Sequence, residues 1–291
     1  MSNIAAISIS DDFDLKKIME SGQAFRITLS KDGFYRFVTG SHILYIKPER
    51  ISETGCGEYS IECINGSSNK KTDPKREWEE IWIPYFDLKR DYSGIRKKVP
   101  AKDKYMLQAC ENGAGLRILK QDPWEMIITF ITSQRKSIPA IKGSLERICE
   151  KYGKSVDTGR EKLYLFPSAK DMKDATPEEL ADCKLGYRVP YILDAVNSVL
   201  CKKLVPSELY DLPYEELFEK LKEIHGIGDK VSNCICLFAY AKTEAAPVDT
   251  WISKVIEQKY TGVNPFPSYG DVAGIMQQYI FYYALTHKDS L

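Results

Sequence analysis

The 291-residue sequence predicts an α+β protein in which a small antiparallel sheet comes first and a larger, all-helical unit follows. Apolar and polar residues alternate with a period of two up to about residue 64, and the apolar spacing becomes helical after about residue 90. A glycine turn at 226–228 then joins two amphipathic helices. We place the domains at residues 1–100 and 101–291, and the pattern allows the boundary to lie anywhere between about 85 and 110.

The N-terminal unit is predicted to consist of antiparallel hairpins. Phe25, Ile27 and Leu29 fall on one face of an extended run, and a Lys-Asp-Gly turn at 31–33 follows it. Gly, Ser, Asn and Lys crowd residues 65–71, which predicts a loop before the next apolar segment. The predicted extended runs cover residues 24–29, 34–39, 43–46 and 59–64.

The second unit is predicted to contain helices of ordinary length. Asp122 and Pro123 open one of them, because Asp caps a helix N-terminus well and Pro fits the first helical position. Apolar residues spaced by three and four predict another helix over 138–148. A further apolar stripe begins after Pro213, and its helix is expected to stop at residues 225–226.

The composition indicates a globular protein and argues against several other classes. Lys plus Arg and Asp plus Glu both number 41, so the net charge of zero gives no sign of a nucleic-acid partner, although a local basic face suffices to bind one. The eight cysteines form no CxxC unit and have no neighbouring His, so neither a metal site nor a cofactor is predicted. No secretory leader and no apolar run of about 18 residues is visible, so we expect reduced thiols, a cytoplasmic location and no membrane span.

The turn Gly226-Ile227-Gly228 is the segment most informative about function. Glycine allows backbone angles that other residues avoid, and it lets the main chain approach a bulky anion closely. The helix that follows presents unpaired N–H groups and the positive end of its dipole to such an anion. Gly-x-Gly by itself fits a generic turn between helices equally well, so the neighbouring residues decide the interpretation.

Lys230 and Asp249 are the residues near this turn that can carry chemistry. Lys230 starts the second helix of the pair, and Asp249 follows nineteen residues later in the segment 247–250. A chain that turns back after the helix can bring both side chains to one cleft. The plainer interpretations are a solvated charge for Lys230 and a helix N-cap for Asp249, and the carboxylate can serve as cap and as catalytic group at once.

At these residues the chain resembles the helix-hairpin-helix DNA glycosylase superfamily, which pairs this hairpin with a downstream Val-Asp. Four more blocks, in order along the chain, are similar to blocks of the 8-oxoguanine DNA glycosylases. The resemblance covers nearly the whole chain and implies a TBP-like antiparallel sheet domain followed by a helix-hairpin-helix glycosylase domain. The four blocks are residues 21–26, 121–123, 185–188 and 273–278.

The resemblance implies a bifunctional DNA glycosylase and AP lyase of base excision repair, acting as a monomer on double-stranded DNA that contains oxidised guanine. Lys230 would be the nucleophile that attacks the sugar C1′, forms a Schiff base and permits β-elimination. A lysine attacks only when it is neutral, which burial or nearby positive potential favours. Asp249 would stabilise the cationic sugar that develops as 8-oxoguanine, or a formamidopyrimidine, departs.

The resemblance also assigns a pocket for the extruded base, because a base cannot be cleaved while it is stacked. Cys234 and Phe281 would form its flat walls, and Gln277 would pair with the polar edge of the base. The carbonyl of Gly22 would accept the N7–H that 8-oxoguanine has and guanine lacks. Core packing for Cys234 and Phe281, and a simple turn at Gly22, are the alternative interpretations.

Contacts with DNA are implied at the hairpin glycines Gly226 and Gly228 and at several residues outside it. Tyr187 would act as a wedge that fills the vacated stack, and Arg188 would contact the base opposite the lesion. Eukaryotic members have asparagines and an arginine where this chain has Arg135 and Ala140, so weak selectivity for opposite cytosine is expected. Trp251 similarly replaces a family histidine near the phosphates. The residues with implied DNA contacts are Gly226, Gly228, Arg135, Tyr187, Arg188 and Trp251.

Two alternative functions remain open from the sequence. A glycosylase of the same fold could act on other damaged bases, but Lys230 argues against a purely monofunctional alkyl-base enzyme. The oxidised-pyrimidine and adenine-mismatch branches usually carry a C-terminal four-cysteine iron–sulfur cluster, and this chain has no cysteine after Cys236. A non-catalytic hairpin module that only holds phosphate is the other alternative, and such a module has no need for a paired Lys and Asp.

Overall fold

The structure is a computed structural model that describes residues 4–52, 56–68 and 70–287. It confirms the predicted order of an antiparallel sheet followed by a mainly helical unit. The sheet strands are hydrogen-bonded in the order β1-β5-β4-β3-β2, and β6 pairs with β5. These strands are β1 (Ile4–Ile9), β2 (Thr28–Leu29), β3 (Tyr35–Thr39), β4 (His42–Ile51), β5 (Gly57–Asn65) and β6 (Lys70–Lys71).

The predicted extended run over 24–29 is wrong for most of its length, since only Thr28–Leu29 is a strand. The preceding residues are buried where the two units meet, and the side chain of Gln121 donates to the carbonyl of Gln23 at 2.9 Å. The alternating apolar residues at 24–27 are therefore buried between the two units and do not form one face of a strand. Strand β1, which pairs with β5 in antiparallel register, was not predicted.

Apart from one helix between β1 and β2, the helices follow the six-stranded sheet along the chain, and they include the three segments expected from the sequence. Asp122 caps the helix that Pro123 opens, as predicted, by accepting from the backbone N–H of Glu125 at 2.9 Å. The α-helices are α1 (Leu15–Glu20), α2 (Pro74–Glu77), α3 (Ile83–Tyr85), α4 (Tyr92–Lys97), α5 (Lys104–Asn112), α6 (Pro123–Ser133), α7 (Ile138–Tyr152), α8 (Pro177–Asp182), α9 (Val189–Leu200), α10 (Tyr214–Lys222), α11 (Asp229–Phe238), α12 (Thr250–Lys259) and α13 (Ala273–Thr286), with a π-helical segment at Trp78–Trp82 and 3-10 segments at Gly186–Arg188, Pro206–Glu208 and Phe266–Val272.

One face of the sheet is covered by the aromatic segment that follows β6. Phe86 is fully buried and packs edge-on against Phe37 of β3, with ring centroids 4.9 Å apart. Trp82 is equally buried beside it. Large buried aromatic surfaces of this kind contribute much of a domain's packing energy, so this face forms a core of its own.

The opposite face of the sheet is covered by a hairpin inserted into the helical unit, which corrects the prediction that the second unit is entirely helical. Strands β7 (Ser155–Asp157) and β8 (Lys162–Tyr164) form a two-stranded antiparallel pair. Val156 and Leu163 from this pair pack with Ile43 of the sheet. Three-residue strands are too short to give a readable period, which explains why the sequence did not predict them.

Candidate active site

The predicted hairpin is formed by α10, α11 and the six residues between them. Gly226 has φ +89°, and a Cβ at this position would overlap the ring of Tyr191. The turn is further fixed by the backbone N–H of His225, which donates to Oδ2 of Asp194 at 2.9 Å. Both the backbone angle and the packed ring therefore require glycine at 226.

Gly228 occupies the N-cap of α11 in an extended conformation, and as a glycine it has no side chain with which to cap the helix. A Cβ on Gly228 would meet no atom within 4 Å among the described residues, so the helix start faces open space. Uncapped N–H groups and the helix dipole make such a terminus suitable for a phosphate. The hairpin therefore has the geometry expected of an anion-binding site.

Lys230 and Asp249 line the same cavity. Lys230 lies in the first turn of α11, and its Nζ is 5.4 Å from the ring centroid of Phe130. Asp249 is the N-cap of α12, with Oδ1 accepting from the backbone N–H of Ile252 at 2.9 Å. The structure thus brings the two chemically capable residues together, as the spacing suggested, and gives Asp249 the cap role as well.

The four residues that the sequence assigned to a base pocket, Gly22, Cys234, Gln277 and Phe281, line this cavity too. They come from three separate parts of the chain, since Gln277 and Phe281 both lie on α13, so the cavity exists only in the folded molecule. Four further lining residues were not assigned to the pocket from the sequence, although two of them lie in the segments 247–250 and 273–278 discussed above. These are Phe130, Phe238, Pro247 and Gln278.

Gln277 and Gln278 are neighbours with different environments. Gln278 is tied into the fold, because its Nε2 donates to the carbonyl of Ser21 at 2.7 Å. Gln277 is only 4% exposed, and its Oε1 has no hydrogen-bond partner within the described ranges. A buried amide oxygen without a partner is unfavourable by about 1–3 kcal/mol. Gln277 therefore offers an unsatisfied acceptor to whatever enters the cavity.

Gly22 sits opposite Phe281 at the edge of the cavity. Its φ is +76°, and a Cβ there would lie 2.9 Å from Cε1 of Phe281. The flanking residues hold this backbone in place, since Nε2 of Gln23 donates both to Oγ of Ser21 at 2.9 Å and to the carbonyl of Arg117 at 2.8 Å. Glycine is required here by its conformation and by the close approach of the aromatic ring.

The wall formed by Cys234 is apolar in character. This residue is 3% exposed, and burial raises the pKa of its thiol even though the nearby Lys230 opposes that shift. The thiol is therefore neutral at physiological pH and presents a polarisable, uncharged surface. Phe281, which is half-buried, provides a second flat surface in the same cavity.

The residues expected to contact DNA lie outside the cavity. Tyr187 is 50% exposed, whereas Arg188 is only 6% exposed. The Arg188 guanidinium donates to the carbonyls of Leu185, at 3.1 Å, and of Gln134, and lies 4.3 Å from the ring centroid of Tyr187. Arg188 thus supports the exposed tyrosine in this conformation, and a direct contact between Arg188 and an opposite base stays a prediction.

Arg135 and Trp251 complete the residues with implied DNA contacts, and Ala140 is the position where the family arginine is missing. Arg135 is exposed and has a left-handed backbone, with φ +48°, two residues after the end of α6. Ala140 is exposed on α7. Trp251 follows Asp249 in the first turn of α12, and Nζ of Lys254 lies 5.4 Å from the centroid of its ring system. None of the three lines the cavity.

No group of three or more potential metal ligands occurs among residues 4–52, 56–68 and 70–287. Across the same described part of the chain, none of the helices combines the length and the apolar character needed to cross a bilayer.

Comparisons with known proteins agree with this arrangement. Residues 6–127 match the family model described as the 8-oxoguanine DNA glycosylase N-terminal domain, and residues 128–279 match the model described as HhH-GPD superfamily base excision DNA repair protein. A probable N-glycosylase/DNA lyase of Methanothermobacter thermautotrophicus is 29% identical over 240 residues, which are 72% of this chain and 76% of that protein.

Solved structures of an 8-oxoguanine glycosylase/lyase from Clostridium acetobutylicum are similar over nearly the whole chain. The apo-form is 31% identical with a TM-score of 0.85, over 98% of this chain and 97% of that one. Its complex with double-stranded DNA containing cytosine opposite 8-oxoguanine is 30% identical with a TM-score of 0.83, over 99% of both chains.

Proposed function

We propose that this chain, which belongs to the HhH-GPD superfamily of base excision DNA repair proteins, is a bifunctional DNA glycosylase and AP lyase that removes 8-oxoguanine and formamidopyrimidine from duplex DNA. The observation that carries this proposal is that Lys230 and Asp249 line one cavity together with the unsatisfied amide oxygen of Gln277. The phosphate-binding geometry of the adjacent hairpin supports DNA as the partner. We also propose that the protein acts as a monomer.

Lys230 is the group in this cavity able to act as a nucleophile toward the sugar. Its neutral amine forms a bond to C1′ while the C1′–N9 bond breaks, and the base leaves with the electron pair and receives a proton at N9. Opening of the sugar ring gives a Schiff base. Loss of a C2′ proton then expels the 3′-phosphate by β-elimination and nicks the strand.

Asp249 supplies negative charge where positive charge develops on the sugar. The backbone N–H of Ile252 uses Oδ1 of the carboxylate, which leaves Oδ2 available to stabilise the cation. The cap also restricts the rotation of this side chain, so the charge is held ready before the reaction. Preorganised charge of this kind typically accelerates a reaction by about 10²–10³-fold.

Recognition of the base follows from the cavity's walls and from the buried amide oxygen of Gln277, which has no partner among the described residues. The Watson–Crick edge of guanine carries the N1–H and N2–H donors, which suit Oε1 of Gln277. Cys234 and Phe281 provide surfaces against which a flat ring can lie. The carbonyl of Gly22 is proposed to accept the N7–H that distinguishes 8-oxoguanine, because an ordinary guanine presents a lone pair there and is repelled.

The proposal is tested with duplexes that contain 8-oxoguanine, a formamidopyrimidine, 3-methyladenine or only normal bases. We expect release of the two oxidised purines followed by strand nicking, and no release of 3-methyladenine. Lys230→Gln should abolish nicking and leave lesion binding within about tenfold. Lys254→Gln removes the same charge outside the cavity and should still nick. Release of 3-methyladenine alone, or nicking by Lys230→Gln, would contradict the proposal.

A further inference from the structure

Two loops on the side of the molecule that presents Tyr187 are held in unusual backbone conformations. We call residues 184–188 the wedge turn and residues 134–137 the α6–α7 loop. Lys184 and Gly186 in the wedge turn have φ +61° and +59°, and Arg135 in the α6–α7 loop has φ +48°. Non-glycine residues rarely adopt this conformation, and they persist in it only where the surroundings hold them there.

Lys136 makes the contacts that hold the wedge turn. Its Nζ leaves the α6–α7 loop and donates to the carbonyl of Lys184 at 2.6 Å and to Oγ of Ser144 at 2.5 Å. Oγ of Ser144, which is fully buried on α7, also lies 3.4 Å from the same carbonyl. Two of the three ammonium donors of Lys136 are thus used inside the protein.

Burial lowers the pKa of Lys136, and the positive charges of Arg188 and Arg147 lower it further. A lysine that served only to attract phosphate would gain from full hydration and free movement. The ammonium group of Lys136 is instead partly buried near other cations, which is unfavourable, and its hydrogen bonds to Lys184 and Ser144 offset that cost. The position of this side chain favours a structural task over a phosphate contact.

A second set of contacts ties the two loops together from the other side. The side chains of Tyr187, at 3.4 Å, and Arg188 both donate to the carbonyl of Gln134. The side chain of Gln134 in turn donates to the carbonyl of Gly226 at 3.0 Å. The wedge turn, the α6–α7 loop and the hairpin are therefore one connected hydrogen-bonded unit.

We propose that Lys136 is a positioning residue that locks the wedge turn, so that Tyr187 stands ready to enter the duplex as the damaged base leaves it. The inference rests on the proposed glycosylase function. It assigns Lys136 a task in base extrusion, carried out through the carbonyl of Lys184, and it denies Lys136 the role of a phosphate ligand. Replacing it should therefore affect the extrusion step far more than the affinity for DNA.

The test compares Lys136→Met with Lys184→Met, which removes a neighbouring charge but keeps the carbonyl that Lys136 binds. Single-turnover excision of 8-oxoguanine should fall at least tenfold in Lys136→Met and less than threefold in Lys184→Met. The slope of log Kd against log salt should stay unchanged in Lys136→Met. A slope reduced by about 1, with the excision rate at saturating protein unchanged, would identify a phosphate ligand and overturn the proposal.

A double-mutant cycle identifies the residue through which Lys136 acts. If it acts through the wedge, Lys136→Met should have little further effect in a Tyr187→Ala background, because the two losses concern one step. Independent, additive losses would overturn the proposal. Ser144→Ala keeps every charge and removes one partner of Lys136, so it should slow excision in the same direction if the protein remains folded by thermal melting. An unchanged excision rate in Ser144→Ala would count against the positioning role of Lys136.

One readout does not depend on excision. A duplex with 2-aminopurine beside a stable abasic analogue reports unstacking when a side chain enters the gap. We expect the fluorescence increase on binding to be at least threefold smaller for Lys136→Met than for the unaltered protein. A normal increase would overturn the positioning role, whereas a wild-type protein that unstacks this duplex without excising 8-oxoguanine would overturn only the proposed function.

Discussion

Replacing Gly22 by Ala should separate base excision from strand nicking. Gly22 adopts φ +76°, where an L-residue is unfavourable by about 1–2 kcal/mol, and the new Cβ would lie 2.9 Å from Cε1 of Phe281. The ring of Phe281 then has to move within the cavity whose wall it forms. We expect the rate of 8-oxoguanine excision to fall by about 10- to 100-fold, or about 1.4–2.7 kcal/mol of transition-state stabilisation.

The assay measures single-turnover excision of 8-oxoguanine alongside nicking of a preformed abasic site. An abasic site has no base to seat in the cavity, so its cleavage through Lys230 should remain within threefold of the unaltered rate. Gly159→Ala is the matched control, because Gly159 has φ +77° and a Cβ there meets no described atom within 4 Å. Gly159→Ala should lower the free energy of unfolding by a similar amount to Gly22→Ala and keep both activities.

Equal losses of excision and of abasic-site cleavage in Gly22→Ala would refute this reasoning, because they would indicate general damage to the fold or to Lys230. Undiminished excision would also refute it, since the cavity would then tolerate a displaced Phe281.

Three further predictions concern the catalytic carboxylate, the opposite base and a buried acid. Asp249→Asn should slow base release by about 100-fold, measured by single-turnover kinetics, while keeping the fold, because Asn is also a competent N-cap; an unaltered rate would leave Asp249 as a cap only. Because Arg188 is engaged by protein carbonyls, excision opposite each of the four bases should agree within about tenfold, below roughly 1.4 kcal/mol, and a hundredfold preference for cytosine in matched duplexes would contradict this. Burial raises the pKa of Glu125 to about 7, against the opposing charge of Arg26, so the folded state binds this proton more tightly than the unfolded state. Its contribution to stability therefore falls as the pH rises from 4.5 to about 7, by roughly 3 kcal/mol. In urea unfolding at pH 5 and pH 8, Glu125→Gln should remove most of that fall, and an identical pH dependence in both proteins would rule out a protonated Glu125.

The order of the sheet and the helices was predictable because the periodic segments are long and clear cap and turn residues mark their ends. The cap at Asp122 and the turn at Gly226 follow from local backbone chemistry that does not depend on the rest of the molecule. The β7–β8 hairpin was missed because its strands have three residues each. Residues 24–27 were misassigned because burial between two units imitates the alternation of a strand.

The candidate site was predictable only in part from the residues themselves. The proximity of Lys230 to Asp249 followed from their spacing around a helix, whereas Gly22 and Gln277 were assigned through resemblance, since they meet across more than 250 residues of chain. The lining residue Phe130 looks like any core aromatic before the fold is known. The contacts of Lys136 depend on where the carbonyl of Lys184 points, and no sequence pattern encodes that.

Covalent trapping tests the central claim, that Lys230 is the nucleophile in a cavity built for an oxidised purine, most directly. The protein is incubated with an 8-oxoguanine duplex and borohydride, which reduces a Schiff base to a stable amine, and the adduct is then digested and sequenced by mass spectrometry. The account predicts one DNA-modified peptide, with the modification on Lys230. Trapping at another lysine, or no adduct while the base is still released, would contradict it.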